Sequence, residues 1–240
     1  MNEANINRQI ILDTETTGMN QAGGAHYLGH RIIEIGGVEM VNRKLTGRTF
    51  HVYLNPEQEI DAEAIAVHGI TNERVAHEPL FADIYQDFLS FVEGAELIAH
   101  NAPFDVGFLD HELSQVGYDK SIEDLCQVTD SLKLAKKAFP GQKNNLDALC
   151  KRYGIDNSHR TLHGALLDAE ILSDVYLMMT GGQTELKWLS KGENIQESDI
   201  RFVTSKHSFK VIQATADELE EHEKYLERLT QKGTCVWRNI

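Results

Sequence analysis

The chain has 240 residues, with 37 Asp and Glu against 23 Lys and Arg, for a formal net charge of −14. At 41% hydrophobic and 25% charged residues it can bury a sizeable core, which excludes wholesale disorder. No apolar run reaches the ~18 residues that a membrane helix needs, and the acidic balance disfavours a sequence-independent binder of long duplex, which needs many phosphate-neutralising cations.

Met1–Arg8 is polar and lacks the apolar stretch of a leader peptide. Three widely spaced cysteines, Cys126, Cys150 and Cys235, form no CxxC pair, so free thiols in a reducing cytoplasm are expected. Ile10–Leu12, ending in Asp13, reads as a buried strand, and Arg31–Glu39 and Arg48–Leu54 as two more. Short connections allow these three an antiparallel meander. Asp61–His68 and Leu80–Val92 have helical spacing, the second with Leu80, Ile84, Phe88 and Phe91 on one face. Leu97–Ala99 predicts a fourth strand and Phe104–Val116 a helix led by Pro103 and closed by Gly117. A fifth strand is expected around Gln127–Val128, with helices at Ser131–Ala138, Asn145–Tyr153 and Gly164–Met179. The pattern is an α/β domain on a mixed five-stranded sheet flanked by helices. It divides into a domain over 1–182, a flexible linker over 183–206 and a tail over 207–240, the tail carrying a short strand at Phe209–Ala214 and a charged helix at Asp217–Gln231 capped by Asp217.

Chemistry gathers in three places. Asp13-Thr14-Glu15 closes the first strand, where residues i and i+2 share a face and can meet one ion. His100-Asn101-Ala102-Pro103-Phe104-Asp105 hands the fourth strand to a helix and sets Asp105 in its first turn, where the helix dipole favours a carboxylate. In His163-Gly164-Ala165-Leu166-Leu167-Asp168, five residues of regular helix would point His163 and Asp168 about 140° apart. They converge only if His163 lies on the approach before the helix proper, which suits a proton acceptor beside a metal ligand. Each motif alone also reads as a helix cap or a turn. A zinc site at Cys150, His159 and His163 lacks a fourth ligand, and Arg160 stands where HExxH needs Glu. Ser131–His163 carries seven cations and two anions, a local excess of five positive charges that reads either as solvated helix faces or as a nucleic-acid backbone contact that would include Lys143 and Arg152.

Taken together, four carboxylates and a histidine in this order, with the run Asp13 to Gly18, the His100 to Asp105 motif and the His163/Asp168 pair, resemble the DEDD exonucleases of the histidine-bearing subclass. Within them the chain is similar to the proofreading ε-subunit family of bacterial DNA polymerase III, from about Arg8 to Ile240. The resemblance implies a ribonuclease-H-like fold and 3′→5′ hydrolysis with two divalent cations, Mg²⁺ or Mn²⁺. It assigns Asp13, Glu15, Asp105 and Asp168 as metal ligands and His163 as general base, with Asp13, Glu15, Thr16, His100 and Asp168 against the substrate. Hard carboxylate oxygens suit these ions, and a pair of them can serve the attacking and leaving oxygens of an in-line displacement. The implied substrate is a single-stranded or frayed 3′ end of DNA, since a mismatched terminus frays at lower cost. Implied partners are the polymerase III catalytic subunit through the tail (Phe209, Val211, Ile212, Trp237) and a small third core subunit. Gln183, Leu186 and Trp188 are similar to short peptides that dock on sliding clamps, and two tethered contacts would raise the local concentration of the enzyme at a primer end. A 3′→5′ exoribonuclease of the same fold and a catalytically silent polymerase subunit are the competing readings. The expected setting is the cytoplasmic replisome, at the nucleoid.

Overall fold

The computed structural model describes residues 8–158, 160, 162–181 and 214–232. The chain divides into two units, Met1–Leu189 and Ser190–Ile240. In the first, three strands run Arg8–Thr16 (β1), Ile32–Val41 (β2) and Lys44–Tyr53 (β3), followed by helices Ala62–His68 (α1), Asn72–Val75 (α2) and Phe81–Val92 (α3). Then come Glu96–Ala99 (β4), Pro103–Gln115 (α4), Ile122–Leu125 (α5), Gln127–Asp130 (β5), Ser131–Ala138 (α6), Leu146–Tyr153 (α7) and Ala165–Gly181 (α8). The second unit contributes Ala216–Lys232 (α9).

The sheet order is β3-β2-β1-β4-β5, with β1/β2 and β2/β3 antiparallel and β1/β4 and β4/β5 parallel. β1 is central, so both its faces are buried and its apolar residues run without a polar break from Ile10 to Leu12. Alternation sends Ile10 and Leu12 into one core with Phe88, Phe91 and Phe108, while Ile11 joins Ala135, Leu149, Leu172 and Val175 in the other. One face is thus covered by α3 and α4 and the opposite face by α6, α7 and α8. A fork from Arg31 to the buried Glu112, at 2.8 Å on each oxygen, ties the start of β2 to α4.

Among the described residues the expected strands and helices fall on observed ones, with differences at their ends. β1 continues four residues past Leu12, because Asp13 to Thr16 keep their ladder to β2 as far as a bulge at Glu15/Thr16. α2 and α5 were not foreseen; at four residues each they are too short to show a helical period. α9 is capped by Thr215 rather than Asp217: Thr215 N–H donates to Glu218 Oε2 at 2.8 Å while its hydroxyl accepts from Glu218 N–H. The strand expected at Phe209–Ala214 lies outside the described residues except for Ala214, which is not in a strand. No helix among the described residues is long and apolar enough to cross a membrane.

α8 can approach the sheet because β2 has Gly36 beneath it. A Cβ there would lie 2.1–2.4 Å from backbone atoms of Ala165 and Leu166. Gly36→Ala should therefore push the start of α8 off the sheet and lower stability by roughly 1–3 kcal/mol. Urea unfolding with an unchanged midpoint would show that the helix start yields freely and is not held by this contact.

Candidate active site

The C-terminal half of β1 supplies the floor of the site. Asp13 and Glu15 project to the face that carries α8, as their spacing of two requires, while Thr14 points the other way and donates to Asp105 Oδ1 at 2.8 Å. That bond draws the first turn of α4, from the opposite helical layer, to the end of β1. The β4–α4 turn owes its shape to Asn101, which takes a left-handed φ of 75° and donates its N–H to Asp130 Oδ1. His163 lies on the loop before α8, its N–H held by the Val67 carbonyl, and Asp168 sits in the first turn with its N–H on the Gly164 carbonyl. The pair meets: His163 Nδ1 is 3.2 Å from Asp168 Oδ2.

Asp13, Glu15, His100, Asp105, His163 and Asp168 all line one cleft of about 260 Å³, walled also by Phe104 and Asn145. Ligand atoms of Glu15, His163 and Asp168 lie within 4.8 Å of one another, close enough to share a cation. Thr16 lies elsewhere: its hydroxyl donates to the Gly18 carbonyl, and it lines an adjoining cavity of about 290 Å³ with Met19, Val67 and His68. The two cavities share Glu15 and Phe104 as a common wall. His100 Nδ1 is 2.9 Å from the buried Ser131 hydroxyl, which fixes the ring against the start of α6.

Burial is the main electrostatic force here, followed by like charge. Asp13 is held well above the ordinary aspartate range by burial and then by Asp105, Glu15 and Asp168. Glu15 is pushed up to about 8 by burial, Asp168 and the Glu34 behind it. Asp105 is raised to about 7, burial outweighing its bond from Thr14. Asp168 goes the other way, because hydrogen bonds from Arg160 and His163 more than offset its burial. Three raised carboxylates around one opening, all hard oxygen donors, fit divalent cations, which would relieve the crowding.

Arg160 is the residue that sequence reasoning missed. It belongs to the basic segment, yet its side chain is 6% exposed and turns inward to Asp168, Asp147 and His163. Arg152, the other named cation of the basic segment, is half-buried. It donates to Asn144, Gln142 and the Lys143 carbonyl and lies over the Phe139 ring at 4.1 Å. Lys133 pairs with Asp130. Only the folded arrangement separates Arg160 and Arg152 from the exposed Lys133, Lys136, Lys137, Lys143 and Lys151. Cys150 is fully buried in the apolar core beneath α7 and α8, against the zinc alternative. Gln183, Leu186 and Trp188, and the tail anchors Phe209, Val211, Ile212 and Trp237, lie outside the described residues.

Comparison with known proteins places the fold in a known family. The exonuclease family model matches residues 10–176. The DNA polymerase III subunit epsilon of Escherichia coli is 54% identical over 239 residues, covering 97% of this chain and 98% of that protein, and the one from Haemophilus influenzae is 52% identical over 247 residues, covering 97% and 95%. Among solved structures, exonuclease X in complex with 5′-overhanging duplex DNA superposes with a TM-score of 0.54 at 28% identity over 73% of this chain and 94% of that one. The E. coli exonuclease I–single-stranded DNA complex, at 18% identity and a TM-score of 0.61 over 73% and 41%, shares the fold. The chain belongs to the exonuclease family and, within it, to that of the DNA polymerase III ε subunits, the 3′→5′ proofreading exonucleases. Its sheet and flanking helices are ribonuclease-H-like, and its family implies dependence on a divalent metal.

The raised carboxylates give stability a pH slope. A group whose folded value exceeds its unfolded one opposes folding once it must ionise, so stability falls from about pH 4.5 to about 8 as Glu15 and its neighbours lose their protons. Asp168, with a lowered value, loses its contribution only as pH drops below 3.8 and does not offset that fall. In EDTA the thermal midpoint should decline across this window, and Asp105→Asn should flatten the decline. A wild-type midpoint that holds level or rises would contradict the raised values.

Proposed function

We propose that this exonuclease removes mispaired 3′-terminal nucleotides of DNA by hydrolysis with two divalent cations, Mg²⁺ or Mn²⁺, held by Asp13, Glu15, Asp105 and Asp168. The observation that carries the reading is the convergence of Glu15, His163 and Asp168 ligand atoms within 4.8 Å, in the cleft that Asp13 and Asp105 also line. Bound cations would supply the positive charge that activates a water and steadies the departing 3′ oxygen. Glu15, Asp168 and Asp13 would hold the cation that activates the water, and Asp13 and Asp105 the one that steadies the departing oxygen. His163, half-exposed on its loop and next to Asp168, takes the proton from the water. His100 and the Phe104 wall hold the terminal nucleotide, and Thr16 does so from the adjoining cavity.

A cleft of this size would take a single strand end more readily than a paired terminus, so discrimination would follow from fraying and need no base-specific contact. DNA rather than RNA is supported by relatives that are subunits of a DNA polymerase. A catalytically silent subunit would have no use for three carboxylates kept at raised proton affinity. Over residues 1–182 the chain acts as the exonuclease domain, and over 183–206 as a linker whose Gln183, Leu186 and Trp188 dock on the sliding clamp. The tail over 207–240 binds the polymerase catalytic subunit, with a small third core subunit as a further partner, in the cytoplasmic replisome at the nucleoid.

Removal of a 3′ mismatch from a labelled primer tests the chemistry. EDTA, Asp13→Ala or Asp168→Ala should abolish release with the circular dichroism spectrum unchanged, and His163→Ala should slow the single-turnover rate by roughly 10²–10⁴-fold. Wild-type rates in the aspartate variants would refute the ligand assignment. For docking, a fluorescent 183–188 peptide should bind the clamp and lose binding when Gln183 and Trp188 are replaced by Ala; equal polarisation changes would refute it.

A further inference from the structure

Arg160 stands between the two groups that the proposed chemistry needs most. Its Nε and Nη2 donate to the two oxygens of Asp168 at 2.5 and 2.6 Å, and its Nη1 donates to Asp147 Oδ1 at 2.8 Å. Nη2 also lies 2.7 Å from His163 Nδ1. The guanidinium has only donors to offer and stays charged. The contact to Nδ1 therefore requires a lone pair on that nitrogen, which places the proton of a neutral ring on Nε2. Asp168 Oδ2, 3.2 Å from the same Nδ1, can only accept and calls for the opposite arrangement, with the proton on Nδ1. One ring nitrogen cannot satisfy both neighbours at once.

We infer that Arg160 is a positioning residue that selects the tautomer of His163. The inference rests on the reading of His163 as the proton acceptor. While Arg160 donates to Nδ1, Nε2 carries the ring proton and has no lone pair to offer. When Nδ1 instead donates to Asp168, Nε2 is free to accept. The exchange moves one proton off Nε2 to solvent and takes one from solvent at Nδ1, with no net change in charge. Among the described residues Nε2 has no hydrogen-bond partner, so Nδ1 alone decides the tautomer. Asp147, with a side chain 55% exposed, anchors the outer end of the guanidinium and so sets how firmly Arg160 holds the ring.

The test reads the ring directly, in the full chain with ¹⁵N-labelled histidine, in EDTA and about two pH units above the ordinary histidine value of about 6.5. Two-bond ¹H–¹⁵N correlation spectra distinguish the tautomers, and His163→Ala identifies the signals. The wild type should show His163 protonated on Nε2, and Arg160→Met should shift the proton to Nδ1. Asp147→Asn, at an exposed site that leaves the core untouched, should move the signals part of the way in the same direction, which keeps the test decisive if Arg160→Met does not fold. The same tautomer in the wild type and in whichever variants fold would overturn the inference. A tautomer that shifts while His163→Ala leaves the single-turnover rate unchanged would overturn the proton-acceptor reading and leave the hold of Arg160 on the ring standing.

Discussion

The structure is organised around carboxylates that ought to repel one another. Asp13, Glu15 and Asp105 are brought together where water is scarce, and each is pushed toward its protonated form by burial first and then by neighbouring carboxylates. Asp168 joins them and remains readily ionised, because Arg160 grips both its oxygens. A fold concerned only with stability would gain nothing from this arrangement, since buried acids without partners are costly. The crowding has a use when divalent cations take up the charge, and it is the reason a nuclease reading follows from the electrostatics as well as from kinship.

Holding such a cluster together falls to the sheet. β1 is clamped between β2 and β4, so its end cannot swing away from the charge it bears. α4 is drawn in by the bond from Thr14 to Asp105 and tied to β2 by the Arg31–Glu112 fork. α8 lies against the bare backbone of Gly36, and the N–H of Ala165 is held by the buried Glu34, which also binds His51. Each ligand-bearing element is therefore fixed by contacts outside the cleft. The carboxylates are positioned by packing whose favourable energy is spent elsewhere in the molecule.

Most of the architecture was legible in the chain. Periodicity located all five strands and the longer helices, since an apolar residue at spacing two or at spacings of three and four can face a core in only one way. It missed α2 and α5, which are too brief to show a period, and it misjudged the cap of α9, where Thr215 and Glu218 bond reciprocally. At the site, the order and flanks of Asp13, Glu15, Asp105, His163 and Asp168 sufficed to nominate them, and the loop position required for His163 followed from helix geometry alone. Within the basic segment, charge along the chain could not tell which side chains turn inward. Arg152 packs on Phe139, and Arg160 enters the cleft.

By itself, the order of residues determined the fold class, the acidic set and the kind of chemistry it can support, because these depend on local spacing and on which side chains are present at all. Only the tertiary structure decided that Thr16 lines the neighbouring cavity, that Gly36 is needed as a bare surface for α8, and that Arg160 reaches Asp168 and His163 together. Those facts depend on distances between segments far apart in the chain or on the turn of a loop that has no period. Such distances exist only once the sheet and its helical layers have closed around them.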